Sequence, residues 1–457
     1  MKSILSASLV DLLRSVKDKE VSVSEINALY RERSAELNSK FNAYLTLSPE
    51  IDTASIQLAV KDNFCTQGMR TTASSKVLDA FVPEYSSTVT NRLNSHGFSL
   101  LGKTNMDAWA HGSSTETSDY GPSKNPWDTS KMPGGSSGGS AVAVAAGLSV
   151  AAIGSETAGS IRLPASWCGI VGFKPTYGRV SRYGVVAMGS SFDCPGPMTR
   201  TVEDAAYLLG LIAGHDPYDA TSSEKPIANY QELMKSGKKY KIGVPQEYLE
   251  GLPDGVRQSI DASLKLLEKI GHSVKKIHLL DPAYSISVYT ILQRAEVSSN
   301  LGRYDGIRYG AGRDTFGQEA KRRIMLGTYT LAHGYYDAYY KNAQKVRTLI
   351  IDDFARAFHE VDIIAGPTTP VTAMLLGESE KYPFFGELMD RLAEPTALAG
   401  LPAISIPCGL DESGMPVGLQ FMGPQFEEGR ILDLAYQYER ETNKFDGIIE
   451  KGLSKWA

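Results

Sequence analysis

Eight residues, GGSSGGSA at 134–141, hold four glycines and three serines and run straight into the apolar stretch AVAVAAGLSV at 141–150. Bare backbone and hydroxyls at this density suit three kinds of chemistry. A phosphate cradle would use the glycines, but neither GGSSGGSA nor ETAGSIR supplies the G-K-[ST] ending that brings a lysine to the phosphates. A nucleophile elbow is matched in form by Gly134, Ser136 and Gly138, yet that motif needs a strand directly before it, and NPWDTSKMP is not one. The third possibility is a relay in which Ser136 passes a proton between a base and a second serine, the glycines allowing close backbone approach. A glycine-serine cluster standing alone would otherwise be a flexible surface loop.

A serine hydroxyl becomes a useful nucleophile only when a positioned group removes its proton. None of the seven histidines (His96, His111, His215, His272, His278, His333, His359) lies near the glycine-serine loop in sequence, although a distant one could fold inward. Lysine is the other choice. Lys61 follows an apolar Ala-Val at a strand end, where burial would strip its charge and let it act as a base. Read by itself, it is an ordinary solvated or ion-paired lysine.

The elements that must position these groups read as an α/β chain. Two opening helices precede IQLAVKDN (56–63), a short strand breaking into a polar turn, and FSLLGKTNMDAWA (98–110) reads as strand, loop, helix. The stretch from Gly112 to Gly139 is rich in Ser, Thr, Gly and Pro, and irregular loops of that length inside a domain are usually functional. AVAVAAGLSV is apolar on every side, so a helix there must be buried with its N-terminal amides toward the serine loop. SVAAIGSETAGSIRLPAS (149–166) repeats the scheme of apolar strand, small residues and a serine. Further on come a strand in KKYKIGVPQEYL, an amphipathic helix in GVRQSIDASLKLLEKIG, a long helix over 334–361, a buried strand DIIAGP, and a closing hairpin from LPAISIPCG and PVGLQFMG.

Composition narrows the class. With 457 residues, 42% hydrophobic and 22% charged, the chain is globular, and its length predicts one dominant core with a subsidiary lobe. A net charge of -5 argues against autonomous nucleic-acid binding. Cys65, Cys168, Cys194 and Cys408 form no C-x-x-C pair, which predicts reduced thiols and no metal site. No apolar run approaches the roughly 18 residues needed to span a bilayer, so a cytoplasmic protein without membrane contact is expected.

Taken together, VKDN (60–63), GGSSGGSA (134–141) and GSETAGSIRLPAS (154–166), with Ser136 and Ser160 24 residues apart, resemble the amidase signature family. Within it the chain is most similar to the A subunits of glutamyl-tRNA(Gln)/aspartyl-tRNA(Asn) amidotransferases, through RTTASSKVLDAFVPEYSSTV, GSSTETSDYGPSKNPWD, SSNLGRYDGIRYG, KRRIMLGTY and GYYDAYY among others. The resemblance implies the amidase-signature fold, a large mixed central sheet covered by helices on both faces. It implies a single domain: N-terminal helices over about 1–55, the signature core over about 56–215, a subsidiary lobe over about 216–320, and a C-terminal part over about 321–457 that completes sheet and pocket. By position it makes Lys61 the neutral base, Ser136 a cis-peptide proton shuttle and Ser160 the nucleophile on the side-chain amide of glutamine. Amides of Thr157, Ala158, Gly159 and Ser160 would form the oxyanion hole, worth roughly 3 to 4 kcal/mol per donor. Arg323 would hold the α-carboxylate of glutamine, Asp390 its α-ammonium, and Tyr289 would line the pocket.

The same resemblance implies no cofactor or metal in this chain. ATP and magnesium would belong to a partner among the B and C subunits, through which charged tRNA is reached. A free-standing amidase for small aliphatic or aryl amides, and a non-catalytic scaffold, are the alternatives. Where the family carries GSDTGGSIRQPA this chain has GSETAGSIRLPA. Ala158 is harmless only at negative φ, Leu163 removes a polar group near the nucleophile, and the longer arm of Glu156 is expected to rearrange hydrogen bonds that position Lys61 or Ser136. Ala108 follows Asp107 where an acidic residue is common.

Overall fold

The computed structural model describes residues 2–456. Eleven strands form one sheet: β1 (Tyr44–Leu47), β2 (Ile56–Lys61), β3 (Phe98–Thr104), β4 (Ala152–Glu156), β5 (Val171–Lys174), β6 (Cys194–Thr199), β7 (Lys241–Pro245), β8 (Ser273–Ile277), β9 (Ile363–Pro367), β10 (Ala403–Leu410) and β11 (Pro416–Met422). Their spatial order is β1-β3-β2-β4-β6-β5-β10-β11-β9-β7-β8. β2 runs parallel to β3 and β4, and β7 parallel to β8 and β9, while the remaining pairs are antiparallel, so the sheet is mixed. Every residue of β2, β4, β5, β6, β9 and β11 is buried. Since successive side chains point to opposite faces, both faces of the sheet centre are covered, which explains why these strands show no regular alternation of apolar with solvent-facing polar residues.

The helix from Gly138 to Ala145 is buried at every position, as its all-round apolar sequence requires. It starts inside the glycine-serine motif, three residues before the apolar run. Its C-terminal end is closed by Arg33, which donates to the carbonyls of Ala146 (3.2 Å) and Gly147 (3.1 Å). A cation at that end also complements the helix dipole.

Several expectations are corrected. The two opening helices are three, Lys2–Ser6, Leu9–Lys17 and Val23–Phe41, because Ser8 caps a new helix and Ser22 with Glu25 forms a capping box. The same N-terminal stretch supplies β1 to the sheet edge. Within segment 216–320, β7 and β8 extend the same sheet, β7 pairing directly with β9. The helix expected after β3 is one 3-10 turn, Ala108–Ala110, broken by positive φ at Trp109 and Ala110. The long helix over 334–361 divides into a π turn (Tyr336–Lys341) and an α-helix (Asn342–Phe358). The closing hairpin pairs β10 with β11.

Candidate active site

Lys61 is the last residue of β2 and is wholly buried. Its Nζ lies 2.7 Å from Ser136 Oγ and donates to the Ser155 carbonyl at 3.0 Å. Burial pulls its pKa down to about 7, against the attraction of Asp107, Asp193 and Glu156, so the amine is half neutral near physiological pH. A second buried lysine, Lys103 on β3, is held instead by the Phe64 carbonyl, Thr71 and Asp62, which pin the turn following Lys61.

The glycines of 134–139 make room for this contact. The Gly135–Ser136 peptide is cis. A Cβ at Gly135 would stand 2.0 Å from Asp107 Oδ2, and one at Gly139 would stand 2.5 Å from the carbonyl oxygens of Ala43 and Asn105. Asp107 in turn accepts from the Thr115 amide (2.9 Å) and the Thr117 hydroxyl (2.8 Å), folding the Ser-Thr-rich loop against the motif. Ser137 joins the two serine loops: its amide donates to the Ser160 carbonyl at 3.1 Å and its hydroxyl to the Ser155 carbonyl at 3.1 Å.

The turn after β4 is built by Glu156 and Arg162. The Glu156 carboxylate accepts from the amides of Ile161 and Arg162 (both 3.1 Å) and from Arg162 Nε (2.8 Å), while Arg162 also reaches the carbonyls of Ala158 and Ala393 and the amide oxygen of Gln420. Glu156 therefore makes no hydrogen bond to Lys61 or Ser136. Its longer arm folds back on its own loop. Among the described residues the amides of Ala158, Gly159 and Ser160 donate to no protein acceptor, which leaves them available to an anion. Ala158 does not have positive φ, so its Cβ is tolerated. Leu163 packs in an apolar cluster with Trp127, Met132 and Trp167, and a Cβ at Gly134 would meet it at 2.5 Å. Asp193 steadies Thr157 by accepting its hydroxyl at 2.7 Å.

Ser160, 5% exposed, opens on a narrow, closely packed cavity that is also lined by Tyr289, Arg323, Glu387, Asp390 and Ser113. Its hydroxyl makes no hydrogen bond among the described residues, so Lys61 and Ser136 are in contact while the link onward from Ser136 to Ser160 is not a hydrogen bond here. Catalytic contacts of this kind commonly tighten only with substrate bound. Larger surface clefts around Lys239 contain none of these groups.

The three pocket residues, distant in sequence, meet at this cavity. Arg323 donates to Glu319 (2.6 Å) and to Gln293 (3.1 Å). Burial pulls its pKa down, but Glu319 and Glu387 outweigh that and hold it above the ordinary value. Asp390 accepts from the Ser113 hydroxyl at 2.7 Å, and burial raises its pKa well above the carboxylate range. A Cβ at Gly159 would strike its Oδ1 at 2.0 Å, so only glycine fits there. Tyr289 lies across the cavity and packs edge-on against Phe192. Sequence reasoning missed Ser113, Gln293, Arg294 and Glu387. The pair Glu319 and Arg323, four residues apart, was the one signal available for this network.

Among the described residues, no group of three His, Cys, Asp or Glu side chains is placed to hold a metal ion, and no helix is long and apolar enough to cross a membrane.

The amidase family model matches residues 22–432. The chain is 47% identical over 477 residues to the A subunit of a glutamyl-tRNA(Gln) amidotransferase from Geobacillus kaustophilus, covering 96% of this chain and 98% of that protein. Its fold matches the crystal structure of the A subunit of the glutamyl-tRNA(Gln) amidotransferase from Thermotoga maritima with a TM-score of 0.84 at 39% identity, over 96% of each chain. It also matches the native peptide amidase from Stenotrophomonas maltophilia with a TM-score of 0.82 at 29% identity, over 95% of this chain and 97% of that one.

Proposed function

The chain belongs to the amidase family, and from that premise we propose that it is the glutamine-hydrolysing A subunit of a tRNA-dependent amidotransferase. The observation that carries this reading is the cavity itself, where the Ser160 hydroxyl shares one small space with a guanidinium and two carboxylates. Glutamine brings an amide to the first and a zwitterionic α-carbon to the others. A plain aliphatic or aryl amide would leave Arg323 and Glu387 buried against an uncharged body, at a cost in desolvation.

In the proposed reaction, neutral Lys61 Nζ takes the Ser136 proton as Ser136 Oγ takes the Ser160 proton. Ser160 Oγ then forms a bond to the side-chain carbonyl carbon of glutamine. The amides of Ala158, Gly159 and Ser160, with Thr157 beside them, receive the oxyanion. Collapse breaks the carbon-nitrogen bond, and the leaving nitrogen regains its proton through the same relay and departs as ammonia. Water adds to the acyl-enzyme and releases glutamate. Arg323 holds the α-carboxylate, Asp390 the α-ammonium, and Tyr289 walls the pocket. ATP, magnesium and charged tRNA would be handled by partner B and C subunits, which convert Glu-tRNA(Gln) or Asp-tRNA(Asn) with the ammonia.

Co-expression with B and C partners and measurement of glutamate released from glutamine tests the reading. Ser160→Ala is expected to lower turnover by roughly 10³-fold or more. An unaffected Ser160→Ala enzyme would remove the nucleophile from the scheme.

A further inference from the structure

Two carboxylates of the Phe385–Asp390 helix line the cavity with Ser160, and the scheme above uses only Asp390. Their oxygens are differently engaged. Asp390 Oδ2 accepts from Ser113, and Oδ1 is buried without a partner against the Cα of Gly159. Glu387, 3% exposed, accepts from Arg294 Nη2 through Oε1 at 2.6 Å, while no side chain donates to its Oε2 among the described residues. Glu387 thus brings to the cavity a carboxylate with one oxygen not tied to an arginine.

The surrounding charges fit this assignment. Arg294 comes from the Ala283–Leu301 helix, Arg323 and Glu319 from the Gln318–Leu331 helix, and Glu394 from the helix following Asp390. Burial pushes Glu387 up, but Arg323 and Arg294 outweigh it and hold its pKa below the ordinary value. Burial raises both Asp390 and Glu394 well above theirs. Arg294 and Arg323 are thus balanced by ionised Glu319 and Glu387, and a ligand adding one positive and one negative group preserves that balance.

We infer that Glu387 is a specificity-determining residue, whose second carboxylate oxygen receives the ammonium group of the substrate with Asp390 as a second acceptor. The cavity then selects amides of α-amino acids over amides lacking the amino group. The inference rests on the glutaminase reading.

The test uses the full chain co-expressed with its B and C partners and compares glutamine with 4-carbamoylbutanoate, which is glutamine without its amino group. Glu387→Gln is expected to raise KM for glutamine by about 10-fold or more, the scale of one charge-assisted hydrogen bond. Its kcat should stay within about 3-fold, and KM for 4-carbamoylbutanoate should rise by much less than KM for glutamine, as expected for loss of a binding contact to the ammonium group. Glu387→Asp, which keeps the charge, should recover part of the preference. Fluorophosphonate labelling of Ser160 counts folded sites, and if Glu387→Gln labels poorly, the same KM ratio in Glu387→Asp decides. An unchanged KM for glutamine overturns the inference. So does an equal rise for both substrates, which would mean that Glu387 only props Arg294. Either result leaves the glutaminase reading standing, whereas a wild-type chain that releases no glutamate from glutamine overturns both.

Discussion

A lysine serves as a base only where its charge is unwelcome, and at Lys61 burial creates that condition while two hydrogen-bonding neighbours fix its position. Turnover should accordingly rise with pH through about 7 and level off above it, measured as the kcat/KM profile for glutamine. A flat profile across that range would contradict a titrating base. The same burial weakens the fold. With a folded pKa of about 7 below an unfolded value near 10.4, the unfolded chain binds more protons between those limits, so this group's cost is greatest below about pH 7 and disappears as pH rises through about 10. Lys61→Met should therefore abolish activity, and its stability relative to the wild type should be most favourable at pH 7 and decline by pH 10, read as the difference in urea midpoints. A difference that grew with pH would refute the assignment of Lys61 as a buried neutral amine.

Among the elements, the site consists of turns pressed together, and glycine is required where backbone meets backbone. Gly139 sits at the start of the buried helix with two carbonyl oxygens at 2.5 Å from any added Cβ, whereas Gly210, within the Val202–Ile212 helix, has nothing within 4 Å. Gly139→Ala should destabilise by about 1–3 kcal/mol and reduce activity. Gly210→Ala should stabilise by about 0.5–1 kcal/mol through helix propensity and leave activity unchanged. Melting temperatures and glutaminase assays of both variants check the contrast, and equal effects would show that packing at the motif is looser than described. The turn after β4 carries a second requirement, since Glu156 and Arg162 are both fully buried. Glu156→Ala should cost about 3–5 kcal/mol by stranding the guanidinium. A chemical-denaturation loss below about 1 kcal/mol would show the pair to be dispensable.

Across the molecule, one sheet runs under the whole chain, and the site lies where loops from its central strands meet helices from the C-terminal half. Amides of Ala141–Ala145 should exchange with solvent only through global unfolding, while those of 331–339, all exposed, should exchange through local opening. Mass-spectrometric hydrogen exchange would reveal an error if the two regions exchanged at similar rates. Local pattern along the chain sufficed for the buried helix with its all-round apolar stretch, for the strand ending at Lys61 and for the closing hairpin, and motif resemblance supplied the order of lysine and serines. Long-range packing, by contrast, was needed to join 216–320 to the common sheet, to turn Glu156 onto its own loop, and to stand Ser113, Gln293 and Glu387 around Arg323 and Asp390. Those outcomes depend on contacts across tens to hundreds of residues, where strand pairing and the cost of burying unpaired charge choose the partners, and no spacing along the chain encodes that choice.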